Sequence, residues 1–145
     1  MKRVLPLMIV ALLIPGVALA KGPKPGKGPG SNHGKATVLY VLKGKLSGYS
    51  AYDSTSSTNG SITIEVAHAN RHGRALKGMQ LAFTGQIASG TRITLRDGVT
   101  AIADNDRGLV KVRAPRESRS MSGSDLAAML TTLAVRQVVD QGPAS

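Results

Sequence analysis

Hydrophobic and polar residues alternate along much of the chain after residue 36, which indicates a protein built mainly of β-strands. The clearest case is SITIEVAHA, residues 61 to 69, where Ile62, Ile64 and Val66 share one face and polar residues alternate with them. Side chains point to opposite faces along a strand, so this pattern predicts a half-buried strand. Comparable patterns predict strands over residues 37–50, MQLAFTG, TRITL, VTAIA, LVKVRAP and AVRQVVDQ.

Turn and cap signals lie between these segments. NG at residues 59–60 and DG at residues 97–98 are dipeptides typical of tight turns. DNDRG, residues 104–108, has side-chain oxygens that could ligate calcium but lacks the full ligand spacing of a calcium loop. This segment is therefore predicted to form a turn. Ser124 and Asp125 form a candidate N-cap pair for one short helix over LAAMLTTLA. Short strands with one late helix predict a mainly β fold, a small antiparallel barrel or sandwich.

The inward-facing positions of the predicted strands supply a hydrophobic core. It holds little aromatic mass, because the chain has one Phe and no Trp. Closing the sheet into a barrel would remove exposed strand edges, which suits a chain with no cysteine and therefore no disulfide. The predicted core residues are Val38, Val41, Leu46, Ile62, Ile64, Val66, Leu81, Phe83, Ile93, Leu95, Ile102, Val110, Val112, Leu130, Val135 and Val138.

The first 20 residues, MKRVLPLMIVALLIPGVALA, have the pattern of a secretory signal peptide. A positively charged start precedes an apolar run, and residues 18–20 form a small-x-small cleavage site. A membrane anchor needs roughly 20 apolar residues, and this run is shorter and interrupted by proline. We therefore expect cleavage after Ala20 and a location outside the cytoplasm, either secreted or in the cell envelope.

A Gly/Pro/Lys-rich segment follows, KGPKPGKGPGSNHGK over residues 21–35, and its composition predicts a disordered linker. Residues 36–141 then form one β-barrel domain, and residues 142–145 form a frayed tail. The formal net charge of +11 falls to +9 without Lys2 and Arg3. Such a surplus attracts polyanions, and for an exported protein the expected partners are anionic wall polymers and anionic lipid surfaces.

The most basic loop is NRHGRALKG, residues 70–78, and the sequence allows two interpretations of its role. Arg71, His72, Arg74 and Lys77 lie close together, and arginine forks suit phosphate and carboxylate groups. Glycines in the loop would expose backbone N–H groups to an anion. The four residues are therefore a candidate anion-binding site, and the alternative is a turn that its charges keep solvated. Candidate strands add Lys43, Lys45, Arg92, Arg96, Lys111 and Arg113, which would extend a basic face if the fold brings them together.

Metal binding or catalysis by His68 and His72 is the less favoured alternative. On a strand, residues four apart share a face but lie about 13 Å apart, too far to share an ion at Zn–N distances of about 2.0–2.1 Å. Arg71 and Arg74 would also repel a cation. The sequence has no G-x-S-x-G or S-x-x-K motif and no paired carboxylates of the glycosidase kind, so we expect no enzymatic activity and no cofactor.

The runs VLKGKLSG, GSITIEV, ANRHGRALKGMQLAF, TRI, LVKVRAP and VRQVVDQG, which span about residues 38 to 141, carry a family resemblance. Together they resemble the small secreted β-barrel domains of unknown function that are common in actinobacteria and other bacteria. The resemblance implies an OB-like barrel of about six strands and implies no reaction. The chain departs from many of these domains at the late strand, where they have G-D-x-V and this sequence has Arg107-Gly108-Leu109-Val110.

OB-like barrels often bind single-stranded nucleic acids, and such a module needs aromatic platforms for base stacking. The candidates are Tyr40, Tyr49, Tyr52 and Phe83, and Phe83 falls in the apolar register. The sequence therefore favours a non-enzymatic exported β-barrel that binds anionic cell-envelope material. Nucleic acid is the alternative partner, and the oligomeric state is left open.

Overall fold

The computed structural model describes residues 35–143, which form a six-stranded sheet with one short α-helix and two 3-10 turns. The predicted signal peptide, the linker up to residue 34 and residues 144–145 lie outside this range. The strands are β1 (Thr37–Ser47), β2 (Gly60–Ala69), β3 (Gln80–Ile87), β4 (Arg92–Thr94), β5 (Asp106–Pro115) and β6 (Val135–Pro143). The 3-10 turns are Arg74–Leu76 and Arg116–Ser120, and helix α1 is Gly123–Leu130.

The sheet has the strand order β3-β2-β1-β5-β6-β4 and curls into a half-barrel. A mainly β fold with six strands and one short helix is thus confirmed. The prediction of an antiparallel sheet is wrong at one edge, because β4 runs parallel to β6, with Ile93 opposite Val138. Alternating hydrophobicity identifies a strand but not its partner. A parallel pair needs a long crossover, and here β5 and α1 both lie between the paired strands along the chain.

The segment VTAIA, residues 99–103, does not form the predicted strand. It belongs to the connection between β4 and β5. The N–H of Ala103 donates to the Asp106 carboxylate at 3.0 Å instead of to a neighbouring strand. Ile102 is still buried in the core, so the pattern correctly marked an inward side chain on an irregular backbone.

The core fills the inner face of the curled sheet. The prediction that Val41 belongs to the core is wrong. Val38, Tyr40 and Leu42 of β1 point inward, whereas Val41 is only half-buried on the opposite face. In the segment TVLYVL, apolar residues occupy both odd- and even-numbered positions. The alternation pattern therefore could not show which side of the strand faces the core. Ile93 and Leu95 are partly buried at the margin of the core, and the other predicted core residues are buried. Six further residues are buried in the core although the alternation did not predict them: Tyr40, Leu42, Leu76, Ile87, Ala114 and Leu126.

Two boundaries near the C-terminus differ from the predicted ones. Helix α1 begins at Gly123, and its N-cap is Ser122 rather than Ser124 and Asp125, since the Ser122 hydroxyl accepts from the Asp125 N–H at 3.3 Å. Strand β6 continues through Pro143, which pairs with Asp106, beyond the predicted domain end at residue 141. Residues 142 and 143 are therefore part of the sheet and not of a frayed tail.

Candidate functional site

The basic loop is a packed element of the fold. Its 3-10 turn places Leu76 fully in the core, beside helix α1. Asn70 fastens the start of the loop to β1, donating from its side-chain amide to the Leu39 carbonyl at 2.8 Å. The loop therefore presents its charges from a fixed backbone.

The two glycines of the loop do not expose N–H groups for an anion. The Gly73 N–H donates to the Asn70 carbonyl at 2.9 Å, and the Gly78 N–H donates to the Val66 carbonyl at 2.7 Å. The predicted role of the two glycines, to offer N–H groups to an anion, is therefore not fulfilled. Arg71, Arg74 and Lys77 are exposed.

His72 differs from the other three candidate residues because it is half-buried. Its ring meets the Tyr40 ring edge-on at 6.4 Å between centroids, and its Nε2 accepts from the Arg71 Nε at 3.2 Å. Partial burial is the main cause that lowers the pKa of His72 below its ordinary value, and the charges of Arg119 and Arg71 lower it further. The lowered pKa disfavours a positive charge on the imidazole, so His72 is a weaker candidate for anion binding than its three cationic neighbours.

His68 and His72 occupy different environments. His68 is exposed on β2, opposite Lys43, whereas His72 packs on Tyr40. Across residues 35–143, no group of three or more His, Cys, Asp or Glu side chains is placed to hold a metal ion.

The carboxylates of the DNDRG segment organise a turn. Asp104 accepts from the Gly48 N–H at 2.8 Å, and Asp106 accepts from the Ala103 N–H. Asn105 adopts the left-handed backbone conformation that asparagine tolerates, with φ of 69°. These contacts tie the end of β1 to the start of β5. The predicted turn over residues 104–108 is confirmed only at Asp104 and Asn105, because residues 106–108 already belong to β5.

The aromatic residues considered for base stacking are mostly unavailable. Tyr40 and Phe83 are fully buried. Tyr49 is half-buried against the core, and its burial raises the pKa of its hydroxyl. Tyr52 is also only partly exposed.

The sheet gathers most of the strand cations on its outer surface. Lys43 and Lys45 of β1 alternate with inward residues, and pairing with β5 brings Arg107 opposite Lys45. We call this surface the basic face; its cations are Lys43, Lys45, Arg92, Arg107, Lys111, Arg113 and Arg136. Five of the six strand cations singled out in the sequence lie on it. The sixth, Arg96, instead lies against Gly142. Arg107 was missed because residues 104–108 were predicted to form a turn, and Arg136 was missed because the alignment of β6 with β5 is not visible in sequence.

One end of the basic face is a cleft with only cationic charge. We call it the cationic cleft. It encloses about 420 Å³ and is lined by Leu39, Gly90, Arg92, Lys111, Arg113, Arg136 and Gln137. No carboxylate lines it, and within residues 35–143 we find no salt bridge for its four cations. Four positive charges from β4, β5 and β6 thus converge with no internal partner, an arrangement that favours an anionic ligand.

A second cleft lies further along β1 and β5, and we call it the glycine cleft. It encloses about 380 Å³ and is lined by Lys43, Gly44, Lys45, Glu65, Ala67, His68, Arg107, Gly108 and Gln141. From Arg107 to Arg113 the face extends roughly 20 Å along β5 at 3.3–3.4 Å per residue. The two clefts therefore form one elongated surface.

The fold and this surface define a small, curled-sheet protein with a basic outer face. Comparison with protein-family models, curated proteins and solved structures gives no match to the chain. In residues 35–143, no helix combines the length and apolar character needed to cross a membrane. The candidate site therefore rests on the geometry of the basic face.

Proposed function

We propose that the protein is a non-enzymatic, exported binding module that engages anionic cell-envelope polymers through its basic face. The observation that supports this most directly is the cationic cleft, where four unpaired cations converge without a carboxylate. Placing like charges together costs free energy unless a ligand neutralises them. The export pattern of the first 20 residues makes envelope polymers the accessible polyanions.

The basic loop has a secondary part in this proposal. Arg71, Arg74 and Lys77 are exposed and add to the long-range attraction. His72 has a lowered pKa and is packed on Tyr40, so it is a structural residue rather than a ligand. The Lys-rich segment of residues 21–35 would add a second electrostatic contribution as a tether.

A nucleic-acid-binding module is the alternative function, and it has less support. A single-stranded nucleic acid needs exposed aromatic surfaces, while Tyr40 and Phe83 lie in the core. Tight binding of single strands that depends on Tyr49 or Tyr52 would favour this alternative.

The proposal is tested by co-sedimentation of residues 21–145 and residues 36–145 with purified bacterial cell envelope across a salt series. We expect both to bind and both to be released by salt, since exposed charges are screened within about 10 Å at 0.1 M ionic strength. Binding lost together with residues 21–35 would place the interaction on the tether. No binding by either protein would contradict the proposed function.

A further inference from the structure

The glycine cleft forms where two irregularities of the sheet meet. Gly44 of β1 and Gly108 of β5 are directly paired at its centre. On one side β2 carries an extra residue, Ala67, and on the other side β6 carries an extra residue, Gln141. Such β-bulges redirect side chains and are common beside binding sites. Here both bulges open onto the same cleft.

Both glycines are required by close approach of the surrounding chain. A Cβ at Gly44 would overlap the backbone carbonyl oxygen of Glu65. A Cβ at Gly108 would overlap the Leu46 side chain and lie 2.6 Å from the Val139 carbonyl oxygen. The centre of the cleft is therefore backbone, and its chemistry comes from the side chains around it.

Those side chains differ in kind from the lining of the cationic cleft. Lys43 and Lys45 supply positive charge, while Glu65 supplies a carboxylate acceptor and Gln141 an amide that both donates and accepts. A carboxylate in an anion-binding surface repels a simple polyanion such as polyphosphate. It suits a ligand that carries hydroxyl groups, because a hydroxyl donates to a carboxylate and can accept from an amide or ammonium group.

Apolar side chains connect the two clefts. Leu39 is 39% exposed, although it lies in the central strand of the sheet. Three more apolar side chains on this outer face are half-buried, namely Val41, Leu109 and Val139. They lie on the same face as the cations because Val41 is opposite Lys111, Leu109 is opposite Lys43, and Val139 is opposite Leu109. This strip offers a surface against which the C–H faces of sugar rings can pack, flanked by cations for the charged groups.

We propose that the basic face selects an anionic polysaccharide, with charged groups of the polymer in the cationic cleft and a sugar unit in the glycine cleft. This inference rests on the proposed function, namely that the basic face binds anionic polymers. It adds that hydroxyl recognition by Glu65 and Gln141 distinguishes a charged sugar chain from a charged chain without hydroxyl-bearing rings.

The test compares two soluble probes, polygalacturonate and linear polyphosphate, by isothermal titration at one ionic strength. Gln141→Ala leaves the charge of the protein unchanged. We expect it to weaken polygalacturonate binding about threefold to tenfold, the effect of losing one hydrogen bond, and to leave polyphosphate binding unchanged. Gln86→Ala, in β3 and outside both clefts, is the matched control and should change neither.

Glu65→Ala gives a second and sharper contrast. Removing this carboxylate should tighten polyphosphate binding, because a like charge is lost. For polygalacturonate the same gain is opposed by the loss of a hydroxyl acceptor, so its binding should tighten clearly less than that of polyphosphate or weaken. Equal tightening for both probes, with Gln141→Ala silent, would overturn the sugar assignment while leaving anion binding intact. Failure of the unaltered protein to bind either probe would instead overturn the proposed function itself.

Discussion

The buried hydroxyl of Tyr40 depends on a single partner. The Ser118 hydroxyl donates to the Pro115 carbonyl at 2.6 Å, so the Tyr40 hydroxyl donates to Ser118 at 2.7 Å. Ser118 is itself only 1% exposed. The pair fastens the central strand β1 to the turn that follows β5.

Removal of the two partners should have unequal effects on stability. Tyr40→Phe leaves Ser118 with its carbonyl partner and should cost about 1 kcal/mol, the value of one hydrogen bond. Ser118→Ala leaves a buried phenol without a partner and should cost about 1–3 kcal/mol. Urea unfolding of both variants and of the double variant measures the difference. A larger loss for Tyr40→Phe than for Ser118→Ala would contradict this account.

His72 should make stability depend on pH. Its pKa in the folded protein is lowered, so between that pKa and the ordinary value the unfolded chain binds more protons than the folded one. The contribution of the neutral ring to the free energy of unfolding is fully present above the ordinary pKa. It is lost as the pH falls from the ordinary pKa through the lowered pKa of the folded protein.

We therefore expect the midpoint of thermal unfolding to fall more between pH 7.5 and pH 5 in the unaltered protein than in His72→Gln. His68→Gln, on the exposed surface of β2, is the control and should keep the pH dependence of the unaltered protein. If His72→Gln also keeps that dependence, the half-buried environment of His72 is not its source.

At the scale of elements, the bulges beside Gly44 and Gly108 bend the sheet and shape the glycine cleft. Because a Cβ at Gly44 meets backbone and not a movable side chain, Gly44→Ala should destabilise the fold by about 2–3 kcal/mol. Gly90 has open space around it, so Gly90→Ala should be close to neutral. Denaturant unfolding of the two variants tests this, and equal stabilities would contradict a structural requirement for glycine at residue 44.

The basic loop should behave as part of the core and not as a solvated turn. Leu76→Ala removes a fully buried side chain and should cost about 2–5 kcal/mol. Lys77→Ala, one residue further on and exposed, should change stability by no more than about 0.5 kcal/mol. A small effect of Leu76→Ala, measured by chemical unfolding, would mean that the loop does not pack as described.

The sequence predicted elements better than it predicted their relations. Ile62, Ile64 and Val66 alternate cleanly, and their strand and its inward face are confirmed. In β1 both faces are apolar, so the inward face depends on tertiary packing, and Val41 was assigned to the wrong side. Leu76 was missed because an isolated leucine in a basic loop gives no periodic signal.

The cationic character of the candidate site could be predicted from the sequence, but its position on the fold could not. Lys111 and Arg113 were recognised as strand cations, yet only the pairing of β5 with β1 and β6 shows which cations share a cleft. Arg136 is brought into that cleft by a bulge at its own strand, which no sequence pattern revealed. The most basic stretch of sequence is a loop whose glycine N–H groups are already used.

At the scale of the whole molecule, the basic face holds seven and the basic loop three of the 19 Lys and Arg residues of the chain. Attraction to an anionic surface is worth about 1 kcal/mol for each Lys or Arg held near it. Three cations of the face that contact a polymer should therefore contribute about 100-fold in affinity. Three cations of the loop that only add to the general field should contribute much less at physiological salt.

The most direct test compares two triple variants of equal net charge for binding to purified cell envelope at physiological ionic strength. One is Lys111→Gln, Arg113→Gln and Arg136→Gln in the cationic cleft, and the other is Arg71→Gln, Arg74→Gln and Lys77→Gln in the loop. We predict a loss of about 100-fold for the first and a loss of less than about tenfold for the second. Equal losses would mean that net charge alone drives binding, and a larger loss for the loop variant would contradict the assignment of the site to the basic face.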